Sequence, residues 1–239
     1  MARPARPSVV KAFHVIAVAV AVAGAIAVPG AAHADPEALN PDAFDLSGAL
    51  DRPVPPTRPS FEVALGGGYT QGIGGAGAIG SVEDLTGPGG TVEVQLAYRR
   101  SAQFSAGVYG TLAWFRRSDP ALDGSRAYGA TAGVQAVWHA KETRALDPWV
   151  SVGAGWRGLW LTQADGRGTS MQGLELVRVQ LGIDYRLSPR LAVAPVVAAS
   201  LSLFLFENAV MPMDFTVVQD KRLNLYGFTG LLGRFDLGG

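Results

Sequence analysis

The sequence predicts an all-β protein: an antiparallel transmembrane β-barrel of eight strands, with a signal peptide and a short irregular N-terminal extension before it. Three observations carry this reading. From about position 60 onward, apolar residues recur at every second position in long runs. The clearest is Phe104, Ala106, Val108, Gly110, Leu112 and Trp114, interleaved with Ser105, Gly107, Tyr109 and Thr111. Many runs carry an aromatic at one or both ends, and period-two alternation with aromatic ends is how a barrel's membrane strand reads. Finally, 48% of the chain is hydrophobic, yet after the N-terminal region no apolar run reaches helix-spanning length. Without such a helix, only a closed barrel satisfies its backbone in lipid.

Positions 1–34 read as a signal peptide. Arg3, Arg6 and Lys11 form a basic start, 12–28 is apolar apart from His14, and Pro29 and Gly30 break the run. Ala32-His33-Ala34 then fits the small-x-small cleavage rule. An uncleaved inner-membrane anchor is the alternative, because the run approaches the minimum spanning length of about 17 residues. The breaker and the cleavage site favour the signal peptide. Cleavage after Ala34 leaves 17 basic against 20 acidic groups, a net charge of −3, which argues against a nucleic-acid partner. The chain has no cysteine, so disulfides and thiolate metal sites are excluded and another network must hold the exported fold. Segment 35–59 contains Pro53, Pro55, Pro56 and Pro59 and cannot be a central strand. It reads as an irregular periplasmic extension, with a short helix near 42–50 or a plug inside the barrel as alternatives. The barrel domain is 60–239.

The eight strands expected are 61–69, 91–99, 103–115, 127–139, 149–161, 174–186, 191–206 and 224–236. Barrels of this kind have short turns on one side and longer loops on the other. With the N-terminus periplasmic, the long connections 70–90, 116–126, 162–173 and 207–223 face outward. The short ones, 100–102 and 187–190, face the periplasm. The connection 139–148 is longer than the rule asks. The glycine-rich 70–90 segment reads as a mobile external loop with no helix. The apolar last loop, with Met211, Met213 and Phe215, reads as a lid over the barrel mouth, and an exposed contact surface is its alternative. Pro195 falls inside the seventh strand and predicts a bulge or register change there.

The two faces of these strands differ. Trp114, Tyr128 and Trp160 fall on the outward face at the external ends; Tyr98, Phe104, Trp138, Tyr185 and Phe235 fall there at the periplasmic ends. Amphipathic rings favour the headgroup level, so these are the girdle aromatics. The opposite face holds Glu62, Glu93, Gln95, Gln135, Arg157, Arg178, Gln180, Asp184 and Arg234 among glycines. Eight strands enclose room for side chains and little else. Unpaired buried charge is expensive, so Glu62, Glu93, Arg157, Arg178, Asp184 and Arg234 are the candidates for a lumen ion-pair network.

Strands such as Val92-Glu93-Val94-Gln95-Leu96 and Val177-Arg178-Val179-Gln180-Leu181, with the girdle aromatics, make residues 60–239 resemble the small Gram-negative outer-membrane β-barrels, the OmpA/OmpX-type eight-stranded barrel. The resemblance is architectural. It implies residence in the cell outer membrane, contact with outer-membrane lipid and lipopolysaccharide, and a monomer. Members of that class serve as anchors, surface interaction proteins, small pores or lipid-modifying enzymes, and fold alone does not choose among them. They usually end on an aromatic, whereas here Phe235 is followed by Asp236-Leu237-Gly238-Gly239.

Catalytic chemistry is sparse. His139 is the one histidine beyond the expected cleavage site. It is followed by Ala140 rather than by a serine partner two residues on, so a lipase-like Ser–His pair is missing. The glycine run is followed by no Gly-Lys-Ser/Thr. Asp119, Asp123 and Asp165 lie in external loops without the spacing of a calcium loop. No enzyme activity, cofactor or metal site is expected. The expected role is structural or surface interaction through the external loops, with polysaccharide or protein as loop partners. The alternative is a narrow channel or carrier for a small or apolar solute, and a filled interior would decide against it.

Overall fold

The computed structural model describes residues 60–76, 80–116, 126–140, 145–162, 168–209 and 215–237. The expected signal peptide and the 35–59 extension lie outside the described residues. Nine strands and one helical turn follow in order: β1 Ser60–Gly74, α1 Val82–Leu85, β2 Gly89–Arg99, β3 Phe104–Phe115, β4 Arg126–His139, β5 Leu146–Thr162, β6 Gly168–Ser188, β7 Leu191–Ala209, β8 Phe215–Val217 and β9 Leu223–Leu237.

Consecutive strands pair antiparallel, β6 pairs with β7, and β7 and β1 both pair with β9, so eight strands close on themselves. The three-residue β8 pairs only with the upper end of β7 and stands outside the ring. Following the pairing from Glu62 through Ala97, Gly107, Gln135, Gly153, Arg178, Ser200 and Tyr226 leads back to β1 at Gly72, ten residues further on. That stagger tilts the strands by roughly 40° and sets a bore that side chains alone can fill.

Alternation then sorts the side chains. On β2, Thr91, Glu93, Gln95, Ala97 and Arg99 are buried while Val92, Val94, Leu96 and Tyr98 are exposed. Among the described residues, Arg126 carries the only charge on the outward face of the strands. The aromatics Phe61, Tyr98, Phe104, Trp138, Tyr185 and Phe235 ring the end away from the loops, with Phe61 on Tyr98 at 5.2 Å and Phe104 on Trp138 at 5.1 Å.

Four expectations are corrected here. The 70–90 connection does not read as a free loop without helix. β1 runs on to Gly74, and Gly74 and Gly80 adopt positive φ (103° and 122°), which glycine takes without strain. Gly75 bridges Ser81, and one helical turn follows. Ser81 caps that turn by accepting from Asp84 N (3.2 Å), and Glu83 accepts from Gly74 N (2.7 Å). Second, the last connection does not fold over the mouth where it is described: β7 continues to Ala209 and hairpins into β8, with Phe206 and Val217 exposed. Met211 and Met213 lie outside the described residues. Third, Pro195 causes no register change. Gly182–Val196 and Tyr185–Val193 keep one register, the ladder lapses between them, and Pro195 still pairs with Leu231 on the other side. Fourth, the sixth strand is not one regular alternation. Its register shifts between Glu175 and Val177, and both Leu176 and Val177 face outward.

Closure depends on glycines where β1 meets β9. Gly68 lies opposite Gly230, and a Cβ there would overlap the Thr229 carbonyl oxygen. Gly68→Val is expected to lose about 2–3 kcal/mol through overpacking against backbone. Urea unfolding of the refolded chain, followed by tryptophan fluorescence, measures it. An unchanged midpoint would mean that the seam is not tight at this point.

Candidate functional site

The interior is the only place where charge is concentrated among the described residues, and it is layered. Nearest the turn end lies an ionic floor. Arg99 bonds Glu62 through Nε, and its Nη2 lies 2.9 Å from His139 Nε2. The other ring nitrogen, Nδ1, lies 2.7 Å from Asp147 Oδ2. Arg234 spans Glu62 (3.8 Å), Asp184 (3.5 Å) and His139 Nε2 (3.3 Å). Arg186 pairs with Asp236 at 2.9 Å. Above the floor sits an apolar layer of Val137, Trp149, Ala194, Val196 and Leu232. Trp149 joins the two, donating from Nε1 to Asp184 at 2.7 Å with the Arg234 guanidinium stacked 4.8 Å from its ring.

The next layer is ionic again. Arg178 reaches across the bore to Glu93 at 2.8 Å, and Arg157 meets Glu175 at 2.5 Å. Arg157 also donates to Ser202 (2.9 Å) and Ser200 (2.8 Å), and the Tyr109 hydroxyl donates to Glu175. Gln95 links Glu93 (2.7 Å) to Gln180 (3.0 Å) and accepts from Gln135 (3.0 Å). The guanidinium of Arg157 lies 3.9 Å over the Tyr226 ring, and that of Arg178 lies 4.9 Å over Tyr109. At the loop end Ala76, Val82, Phe115, Leu159, Leu161, Met171, Phe204 and Tyr226 form an apolar cap. Among the described residues the mouth is thus closed by the first connection, through Ala76 and Val82. Between the cap and the middle ions a cavity of about 30 Å³ remains, room for a water or two.

The six lumen candidates are all buried. The structure brings Arg178 to Glu93, and Arg234 to both Glu62 and Asp184. It takes Arg157 to Glu175, a residue absent from the candidate set. Extra-period reading hides Glu175, because the bulge at Leu176-Val177 turns it inward three residues before Arg178. The signal was a carboxylate between Leu174 and Leu176, where a lipid-facing charge would be costly. Arg99, His139, Asp147, Arg186 and Asp236 were equally missed. Each shares the inward parity of a neighbour, as Arg186 does with Asp184 and Asp236 with Arg234. Of the girdle aromatics, Tyr98, Trp114, Trp138, Tyr185 and Phe235 are exposed, while Phe104, Tyr128 and Trp160 are half-buried.

Chemically the layers can neutralise charge and fill space. Both nitrogens of His139 are engaged, so it is not free to act as a general base. His139, Asp147 and Asp184 place ligand atoms within 4.8 Å of one another, a spacing a metal ion could use. The guanidinium groups of Arg99 and Arg234 already hold the cation positions around them.

No family model matches the chain, and no curated protein matches it. Solved structures do. The surface protein NspA of Neisseria is similar at 11% identity, over 72% of this chain and 95% of that one, with a TM-score of 0.49. The outer membrane protein OprG from Pseudomonas aeruginosa is similar at 9% identity over 76% and 98%, with a TM-score of 0.45. Ail, the attachment invasion locus protein of Yersinia pestis, is similar at 13% identity over 74% and 99%, with a TM-score of 0.40. Likeness at this level assigns no role.

Removing one member of a buried pair leaves the other uncompensated, whereas replacing both leaves an apolar site. Arg157→Leu alone is expected to cost about 3–5 kcal/mol. Arg157→Leu with Glu175→Leu should cost clearly less than the two single changes added together. Urea titration of the four proteins in vesicles gives the coupling, and strict additivity would show that the pair is not a unit.

Proposed function

We propose that this chain is an outer-membrane anchor: a corked, non-conducting barrel whose wall is structural and whose loop end is the surface that meets other molecules. The observation carrying this reading is the filled bore. Two ionic layers and two apolar layers alternate along it, and the described cavity holds no more than a water or two. A solute path would have to separate buried ion pairs and leave bare charge in a low dielectric, which costs several kcal/mol per ion. The membrane setting rests on the outer wall. Val92, Leu96, Val108, Leu112, Val134 and Leu181 are exposed without any charge among them, between aromatic rows at both ends. In water such a surface would be far larger than the apolar patches monomers tolerate.

The interior favours this over a narrow channel or carrier, because an apolar cap that includes Phe115, Met171 and Phe204 closes the loop end and buried ion pairs fill the bore below it. The external segments 116–126, 162–173 and 207–223 are where a polysaccharide or protein partner would be met.

Planar-bilayer recording of the refolded chain from Asp35 is expected to be silent at 100 mV. Arg157→Ala combined with Arg178→Ala is expected to produce discrete steps, since two cations leave the bore and two carboxylates remain. Steady ohmic steps from the unaltered chain would overturn the corked reading and make the protein a channel.

A further inference from the structure

The floor at the turn end is not charge-balanced. Among the described residues it holds four carboxylates, Glu62 on β1, Asp147 on β5, Asp184 on β6 and Asp236 on β9. Against them stand three guanidinium groups, Arg99 on β2, Arg186 on β6 and Arg234 on β9. All seven are buried, and so is His139 at the end of β4. The hydrogen bonds around the His139 ring assign its proton. A guanidinium nitrogen only donates, so Nε2, which lies 2.9 Å from Arg99 Nη2 and 3.3 Å from Arg234 Nη1, is an acceptor. The ring proton is then on Nδ1, which donates to Asp147 Oδ2 at 2.7 Å. The imidazole is thus neutral in this arrangement, and the floor is one positive charge short. The ring's open position for a proton, Nε2, is covered by two cations.

The same groups are poised for a second arrangement. Arg234 Nε lies 3.5 Å from Asp184 Oδ2, and neither atom has a hydrogen-bond partner. A shift of Arg234 away from the ring and toward Asp184 turns that contact into a charge-assisted hydrogen bond. Arg99 has other partners to keep, Glu62 through Nε and the Ala102 carbonyl through Nη1 at 3.1 Å. Both guanidinium groups can therefore leave Nε2 without being stranded. Trp149 carries such a movement upward. It donates to Asp184 Oδ1 at 2.7 Å and lies 4.8 Å from the Arg234 guanidinium, while its ring belongs to the apolar layer above. We propose that the floor is an acid-released latch: a proton taken up from the turn end by His139 Nε2 displaces Arg99 and Arg234, brings the floor to charge balance and loosens Trp149 at the base of the apolar layer. The proton comes from water and adds to the Nε2 lone pair, and no other covalent bond changes. Imidazole is the side chain whose charge ordinarily changes between about pH 5 and 8. The proposal rests on the corked reading above and adds to it a regulated element at the lower end of the bore.

The test is nitrogen NMR of the detergent-folded chain from Asp35 with isotope-labelled histidine and tryptophan, followed from about pH 8 down to about pH 4.5. His139 is the one histidine from Asp35 onward, so its ring signals are unambiguous. The Trp149 indole signal is identified by its loss in Trp149→Phe. At the upper pH the ring is expected in its neutral form, protonated on Nδ1. On acidification both ring nitrogens are expected to become protonated while circular dichroism shows the barrel folded. The Trp149 indole signal is expected to shift with the same midpoint. His139→Gln keeps a donor and an acceptor but takes up no proton, and in it the Trp149 signal is expected to hold still over this range. A neutral ring protonated on Nε2 would overturn the latch. So would a ring that stays neutral to the lowest pH or until the barrel unfolds, or one that titrates while Trp149 does not move. An undiminished pH response of Trp149 in His139→Gln would do the same. Where that variant does not fold, the two midpoints in the unaltered chain decide. Steady conductance of the unaltered chain at neutral pH sinks the corked reading; a silent barrel whose ring and indole do not move together sinks this proposal alone.

Discussion

Closure of eight tilted strands with a ten-residue stagger constrains everything else in this molecule. It removes the free sheet edges from the ring, so apart from the lapse beside Pro195 the backbone donors and acceptors along the wall pair between strands without water. It also fixes a bore too narrow to hold water in bulk and too wide to be filled by glycine and alanine alone. The chain meets that demand by alternating long and short residues around each level. Gly153 on β5 and Gly133 on β4 leave space that the Tyr109 ring occupies, and the Arg178 guanidinium lies over that ring. The glycines that look like weak points in a strand are the complement of the long charged side chains facing them.

Charge inside such a bore is stable only as a matched set. In the middle layer two arginines face two glutamates, and each guanidinium also rests on an aromatic ring. In the floor four carboxylates, Glu62, Asp147, Asp184 and Asp236, surround three guanidinium groups, with His139 between Asp147 and Arg99. The apolar layer of Val137, Leu232 and Val196 separates the two sets. Each is therefore a local network in its own low-dielectric compartment, where hydrogen bonds are strong and an unpaired member is costly. That separation is why removing one member is expected to act locally.

The fold was largely legible in the sequence because a membrane strand shows its period directly, and eight runs with alternating connection lengths leave few other topologies. The candidate site was legible only in part. Glu93, Arg178, Glu62, Asp184, Arg157 and Arg234 follow from parity alone. Glu175 does not, because a bulge costs one residue of register and leaves no fixed sequence mark. The floor residues Arg99, Asp147 and Arg186 lie at strand ends, where boundaries are uncertain by a few residues. The part of the first connection in the cap was not legible, for a different reason. Composition marks the last connection as the apolar one, yet coverage of the mouth depends on where a connection leaves the wall. The first departs from β1 through two positive-φ glycines that turn Ala76 and Val82 inward, whereas β7 simply continues upward into a hairpin.

The division of labour between the two faces follows from this. Every inward charge is spent on another inward charge, which leaves the interior no free group with which to bind or react. The outward face carries almost none, so the single place where charge does meet the wall stands out. Arg126 opposite Arg116, above a row of three aromatics, departs from the rule that the rest of the surface obeys. In the corked reading proposed above, a partner would be met on the outer wall and the loops above it.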